Sequence, residues 1–276
     1  MTPMASGATV EQAEWEERAG ILFSPALASR GVVAGFTTRA LGSMGGRATP
    51  PDDASERRAA VAARLGFDAV VRTKQVHGET VVRADGPFET WPEADGMWTG
   101  RAGVLLGIVA ADCVAVLAAD DEGRIGAAHA GWEGTSRQIA RRLIGSLRAA
   151  GADPSRIVAA LGPSIGPCCY TIGGERARVV QERLGDLGGG TIVERDGELV
   201  FDLWKANVAQ LREDGVGRIE VSGTCTKSGG RELWSYRGRE SSERGSGLGL
   251  AFIGQTTGGL RPPRTPRSGA RLAEDT

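Results

Sequence analysis

The sequence predicts an α/β protein in which helices cover the faces of β-sheet. Three observations point there. Short apolar runs such as "GVLLGIVA", "VAVLAAD" and "RIVAALG" alternate with segments of helical periodicity. The 42 glycines and 12 prolines break the chain into short elements. No segment recurs at a fixed period, which excludes a solenoid or propeller. A chain of 276 residues also buries enough core to fold without disulfide or metal staples. One domain over 21–258 is the simplest organisation, with a mobile polar segment at 1–20 and a disordered tail rich in Pro, Arg and Gly at 259–276.

The elements follow in order. The loop "ALGSMGGRATPPDDASE" feeds a short helix over 54–65, ended by Gly66. "GVLLGIVA" and "VAVLAAD" are strands separated by "ADC", and "RIGAAHAG" is a strand leading into a glycine turn. In "TSRQIARRLIGSLRAAGADP" the residues Ile139, Leu143, Ile144 and Leu147 share one helical face, Thr135 or Ser136 can cap the start, and Gly151 with Pro154 ends it. "RIVAALG" is the next strand and "GGERARVVQERLG" the next helix. "FDLWKANVAQLREDG" is another helix, capped by Asp202, with Leu203, Asn207 and Leu211 aligned. "RIEVSGTCT" and "GLGLAFIG" are the last strands.

Charge and cysteine content narrow the function classes. The net charge is -1 with both signs mixed along the chain, so no basic footprint argues for nucleic acid and no charge block for a membrane surface. The longest apolar stretch, 104–119, is interrupted by Asp112, and no basic-then-apolar leader opens the chain; a cytoplasmic protein without a membrane span is expected. Two of the four cysteines, Cys168 and Cys169, are adjacent, which suits free thiols in a reducing compartment better than a disulfide framework. A small-molecule partner and a monomer or weak homodimer are the expectations.

Chemistry concentrates at three strand ends. The chain has 2 histidines, His77 in "KQVHGET" and His129 in "AAHAGWEGT", and a thiol, Cys113, in "AADCVAV". Their separations are too long for a finger or ribbon, but two imidazoles and one thiolate suit Zn²⁺ and leave a fourth coordination position open. Two other readings stand beside this one. Cys113 can be a small buried hydrophobe and each His a hydrogen-bonded turn residue. Alternatively Cys113 is a nucleophile with His129 as its base. "LGPSIGPCCYTIGGE" is the other unusual stretch: alternating Gly and Pro fix a backbone path whose N–H groups can face an anion, or simply make a turn with two buried thiols.

Taken together, "QVHG", "ADC", "HAGW" with the following Gly and Thr, "GPSIGPCCY", "FDLWKAN", "CT" at Cys225 and "SYR" at 235–237 resemble, in this order, the laccase-domain or multicopper polyphenol oxidase family, which is YfiH-like. The resemblance covers roughly 30–255. Members are described as purine nucleoside phosphorylases with adenosine deaminase activity and, in some bacteria, as peptidoglycan editing factors. The resemblance implies a single-domain α/β/β/α sandwich with mixed sheets and a zinc site at His77, Cys113 and His129, with Cys113 on a strand. It implies nucleoside and phosphate as small-molecule partners, Asp112 and Cys113 as catalytic residues, and Arg39, Gln75, Tyr170 and Arg237 as substrate contacts. Copper is a less favoured occupant, because one His₂Cys site lacks the several centres that oxygen reduction needs. Glu133 stands where the family usually has Arg and Ala115 where it usually has Pro, and the family's "GR" near the end is replaced by "GSGLGL". Those departures leave the metal site whole and put phosphate use in question. A hydrolase editing peptidoglycan precursors and a decayed zinc-binding relative are the competing functions.

Overall fold

The apolar runs are continuous because the strands they form are covered on both faces. β8 (Leu105–Ala110), β9 (Val114–Ala119) and β10 (Ile125–Ala130) are buried along their whole length. The structure is a computed structural model that describes residues 7–46, 49–229, 232–238 and 247–257. Among these, β1 (Thr9–Gln12), β15 (Arg218–Val221), β11 (Val158–Leu161), β9, β10, β7 (Gly96–Thr99) and β6 (Val81–Arg83) form, in that order, a seven-stranded sheet. A six-stranded sheet runs β2 (Glu16–Arg18), β3 (Ile21–Phe23), β4 (Val33–Thr37), β16 (Gly249–Gly254), β8, β5 (Val70–Val71). Both are mixed, with β1, β11 and β15 parallel, β6 parallel to β7, and β5 parallel to β8. A small third sheet holds β12 (Thr171–Ile172), β14 (Glu198–Phe201) and β13 (Ile192–Arg195).

Side-chain alternation assigns each face to a different layer. Ala115, Leu117 and Ala119 of β9 meet Phe36, Leu106, Ile108, Ala251 and Ile253 from the six-stranded sheet. Their neighbours Val114, Val116 and Ala118 turn the other way, into a core shared with α4 (Ile139–Ala149), α5 (Gly174–Leu184) and α6 (Leu203–Glu213). On the far side, Leu105, Val109, Leu250 and Phe252 pack with Val61, Ala62 and Leu65 of α2 (Pro51–Leu65). The layers are therefore helix, sheet, sheet, helices, the α/β/β/α sandwich expected. Between β3 and β4 the short α1 (Pro25–Ala28) docks through its first turn, where Ser24 Oγ and the Ala26 N–H donate to the buried Glu220 carboxylate at 2.6 and 2.7 Å.

Several boundaries differ from expectation. The 1–20 segment is not an appendage between residues 9 and 18: Thr9–Gln12 pairs with β15, Glu16–Arg18 pairs with β3, and Trp15 between them is 1% exposed. α2 starts at Pro51, not at 54, because proline fits the first helical position and Asp52 and Asp53 complement the first turn. It ends on Gly66 at φ 86°, a left-handed cap that glycine adopts without strain. The long helix expected from Thr135 or Ser136 is broken. α3 (Trp132–Ser136) comes first, Gln138 takes φ 62°, and α4 begins at Ile139. The tail at 259–276 lies outside the described residues. No helix among those described is long and apolar enough to cross a membrane.

Candidate metal centre and its cleft

The chain leaves the six-stranded sheet at Ala110 and joins the seven-stranded one at Val114, so Asp112 and Cys113 occupy the bend where it crosses between sheets. A bend frees polar side chains from the apolar faces that β8 and β9 must present. Cys113 thus sits in this crossing, not on a strand as the family likeness implies. Asp112 adopts φ 81° there, a conformation that is costly for a residue with a Cβ. Neighbouring loops fix it: its carboxylate accepts from Thr226 Oγ1 at 2.6 Å and from the Arg237 N–H at 2.7 Å, and its carbonyl accepts from the Ile165 N–H at 2.9 Å.

Around this bend the three predicted ligands converge. The donor atoms of His77, Cys113 and His129 all lie within 4.8 Å of one another. The two imidazoles meet edge to face, with centroids 4.8 Å apart and planes at 72°. His129 comes from the end of β10, opposite Ala115, and His77 from a loop where it adopts φ 60°. One fully buried carboxylate organises both. Asp95 Oδ1 accepts from the His129 Nδ1–H at 2.8 Å and from the His77 N–H at 3.0 Å, while Oδ2 accepts from the Val76 and Gly78 N–H groups at 3.0 and 2.7 Å. Those loop bonds hold His77 in its left-handed conformation. The bond to Nδ1 fixes the tautomer and leaves His129 Nε2 as the nitrogen free to ligate a metal.

The residues present fit a metal. Tetrahedral zinc with nitrogen and sulfur ligands spans about 3.3–3.6 Å between them, within reach of this cluster. Gly131 keeps the space clear, because a Cβ there would stand 2.8 Å from Cys113 Sγ and 3.4 Å from His77 Cδ2. Without a cation the same atoms share charge. Burial opposes ionisation of both Cys113 and His129, yet the attraction and hydrogen bonding between them, with Asp95 behind His129, pull the thiol down to about 6 and push the imidazole up to about 10. Hydrogen bonding to Cys113 also raises the His77 pKa against the opposing pull of burial.

The cluster opens into a cleft of about 670 Å³. Of the other predicted site residues, Gln75, Asp112, Tyr170 and Arg237 line it. Gln75 is bound to backbone: its amide N–H donates to the Val109 carbonyl at 2.8 Å and its carbonyl accepts from the Val109 N–H at 2.9 Å. Arg39 does not line this cleft. It pairs with Glu232 at 3.3 Å, stacks on Trp234 at 5.1 Å, and faces a separate pocket with Ser43 and Arg57. The N–H groups of "GPSIG" are not free for an anion either, since those of Gly162, Ser164, Ile165 and Gly166 donate to Ala115, Thr224 and Asp112 carbonyls and to Cys225 Sγ.

The sequence did not mark three further groups. One is Asp95. The others are arginines placed over aromatic rings of the same cleft or its rim, Arg72 over Trp91 at 5.0 Å and Arg176 over Trp132 at 4.7 Å, joining Arg237 over Tyr170 at 5.0 Å; Glu133, singled out by its departure from the family, lines the cleft among them. Arg72 has a buried Nε without a hydrogen-bond partner among the described residues, and burial followed by the charge of Arg58 lowers its pKa to about 10. Among the described residues none of these three arginines, nor Glu133, makes an ion pair.

Comparison with known proteins places this architecture in a family. Residues 34–254 match the family described as multi-copper polyphenol oxidoreductase laccase. A purine nucleoside phosphorylase of Deinococcus radiodurans is 42% identical over 222 residues, covering 76% of this chain and 85% of the relative. The purine nucleoside phosphorylase YlmD of Geobacillus stearothermophilus is 34% identical, over 82% of this chain and 90% of its own. The crystal structure of YlmD from Geobacillus stearothermophilus superposes with a TM-score of 0.77 at 31% identity, covering 88% of this chain and 98% of that one. The Bacillus licheniformis protein YfiH gives 0.74 at 28% identity over 87% and 98%. With its crossing bend, its His–Cys–His cluster and a match that spans most of its length, the chain belongs to the multi-copper polyphenol oxidoreductase laccase family.

Proposed function

We propose that the chain is a zinc-dependent purine nucleoside phosphorylase that also deaminates adenosine. The observation that carries this reading is the His77, Cys113 and His129 cluster opening into a cleft in which Arg72, Arg176 and Arg237 make no ion pair among the described residues. The names of its relatives support the phosphorylase part of this reading. His77, Cys113 and His129 would hold the zinc, which would supply Lewis-acid polarisation and activation of water.

The chain's own residues supply the rest. In phosphorolysis the bond from ribose C1′ to the purine nitrogen breaks, a bond from C1′ to a phosphate oxygen forms, and the departing base takes up a proton. Arg72, Arg176 and Arg237 lie over aromatic rings, and their guanidinium N–H groups, apart from the Arg237 Nη2–H given to the Thr171 carbonyl at 3.1 Å, can bind the phosphate dianion. Tyr170, Trp132, Ile165 and Leu203 give the purine apolar walls. Asp112 holds the Arg237 backbone through one oxygen and Thr226 through the other, so it acts by positioning. Glu133, with no ion pair among the described residues, is the carboxyl at the cleft wall placed to carry a proton to the leaving base or ammonia.

The test is turnover of inosine and adenosine by zinc-loaded protein with and without phosphate. Phosphate-dependent cleavage of inosine and phosphate-independent release of ammonia from adenosine are expected, with Arg72→Ala raising KM for phosphate more than it lowers kcat. Zinc-loaded protein that turns over neither nucleoside would overturn the proposal. The charge shared by Cys113 and His129 favours one second reading, a cysteine-type hydrolase of a serine-bearing muramyl precursor. Hydrolysis that survives chelation and stops on thiol alkylation would be its signature.

A further inference from the structure

A second cluster of donors, unused by the proposed reaction, lies one residue from the cleft on two loops. Cys168 and Cys169 complete a turn in which the Cys169 N–H donates to the Gly166 carbonyl at 3.0 Å. Cys225 follows β15 on a loop joined to the first through a bridge between Ser164 and Cys225. The three sulfurs lie within 4.8 Å of one another, and all belong to free thiols. Packing against the helix-side core explains Cys225 and Cys169 but not Cys168. Cys225 is buried in the helix-side core, Cys169 is half-buried and Cys168 is exposed, so hydrophobic burial gives no reason for the last to join the group.

We propose that Cys168, Cys169 and Cys225 form a second metal site, for a thiophilic closed-shell cation of the Zn²⁺ or Cu⁺ class. The donors are all sulfur, with no carboxylate in the group, which excludes Mg²⁺ and Ca²⁺ as occupants. Sulfurs on a tetrahedral zinc stand about 3.8 Å apart, a separation these loops reach with small adjustments. The Gly166 N–H donates to Cys225 Sγ at 3.3 Å, offsetting charge on the buried sulfur. Ser228 Oγ lies 3.3 Å from the sulfurs of both Cys168 and Cys169, where it or a water completes a fourth position. Exposed Cys168 gives the ion a route in. Occupancy stiffens the cleft, because Cys169 precedes Tyr170 and Cys225 precedes Thr226, the residue bound to Asp112.

Metal content of the reduced full-length chain decides it, measured after loading with Zn²⁺, or anaerobically with Cu⁺, and removal of free ion by desalting. Two zinc ions per chain are expected for the wild type and one for Cys168→Ser, which removes an exposed side chain and leaves the fold intact. Cys113→Ala also retains one, and the double variant none. A copper equivalent lost in Cys168→Ser while zinc content stays equal identifies Cu⁺ as the occupant. Equal content of both metals in the wild type and Cys168→Ser overturns the proposal. So does loss of two titratable thiols on purification with no second ion bound, since the cluster is then a disulfide pair. Cys225→Ser gives a second check at the buried ligand.

Discussion

Asp95 shows how much one buried carboxylate decides. Its two oxygens orient His129, fix the left-handed conformation of His77 and tie down the residues on either side of it. Asparagine fits the same space but offers one acceptor oxygen and a donor where acceptors are needed. Asp95→Asn is therefore expected to weaken zinc about 10- to 100-fold, as loss of a partner behind a ligating histidine does. Competition with a chromogenic chelator measures this, and unchanged affinity would mean that His129 is positioned by packing alone. Cys113→Ala should instead abolish metal retention at this centre, leaving only the ion expected at the Cys168, Cys169 and Cys225 cluster, while the far-UV spectrum and cooperative unfolding persist. The candidate ligands are legible in the sequence because their types are rare: with 2 histidines and 4 cysteines, the possible imidazole and thiolate sets are few. Asp95 is not, since it is one of 34 acidic residues and nothing in "EADGMW" separates it from a solvated one. The same holds for Arg72 and Arg176, whose roles exist only once distant rings stand beside them. Arg39 is the converse: the family resemblance singles it out, while the fold turns it to a neighbouring pocket.

Among the elements, α6 joins the site to the helical layer. It starts at Asp202, whose carboxylate accepts from the Lys205 N–H at 2.9 Å, and its buried face carries two amides among the apolar residues. Asn207 donates to Thr135 Oγ1 at 3.0 Å and Gln210 to the Thr135 carbonyl at 2.8 Å, latching α6 to α3, which directly follows His129 and Gly131. Asn207→Leu leaves a buried hydroxyl without its donor, so a loss of about 1–3 kcal/mol is expected from denaturant midpoints. An unshifted midpoint would show that the latch is incidental. Helical periodicity makes α5 and α6 legible, and the cap at Asp202 stands where "FD" precedes the apolar face. Neither signal exists for the break at Gln138, a left-handed residue with no glycine to announce it. β1 and β2 escape for a different reason. They are short edge strands with polar, mostly exposed residues, and only their pairing partners define them.

For the whole molecule the question is whether the metal holds the fold or the fold holds the metal. Periodicity predicts layered α/β structure, but a run such as 104–119 looks the same whether its two strands share a sheet or divide between two. The division is set by Asp112 and Cys113 at the crossing and by which neighbours each strand finds. Once formed, the sandwich has three apolar cores, and the cluster sits at an edge of the middle one, where Cys113 packs against it from the side. Nothing in those layers needs an ion. Binding still stabilises by linkage: free zinc at about 1,000 times its dissociation constant adds about 4 kcal/mol. For a domain of this size each kcal/mol shifts Tm by about 2–4 °C. The chelated chain is therefore expected to unfold cooperatively, about 8–16 °C below the zinc-loaded chain, and to regain the higher Tm when zinc is returned. A chelated chain with no cooperative transition by calorimetry would reverse the order of cause, making the ion a structural staple of the sandwich.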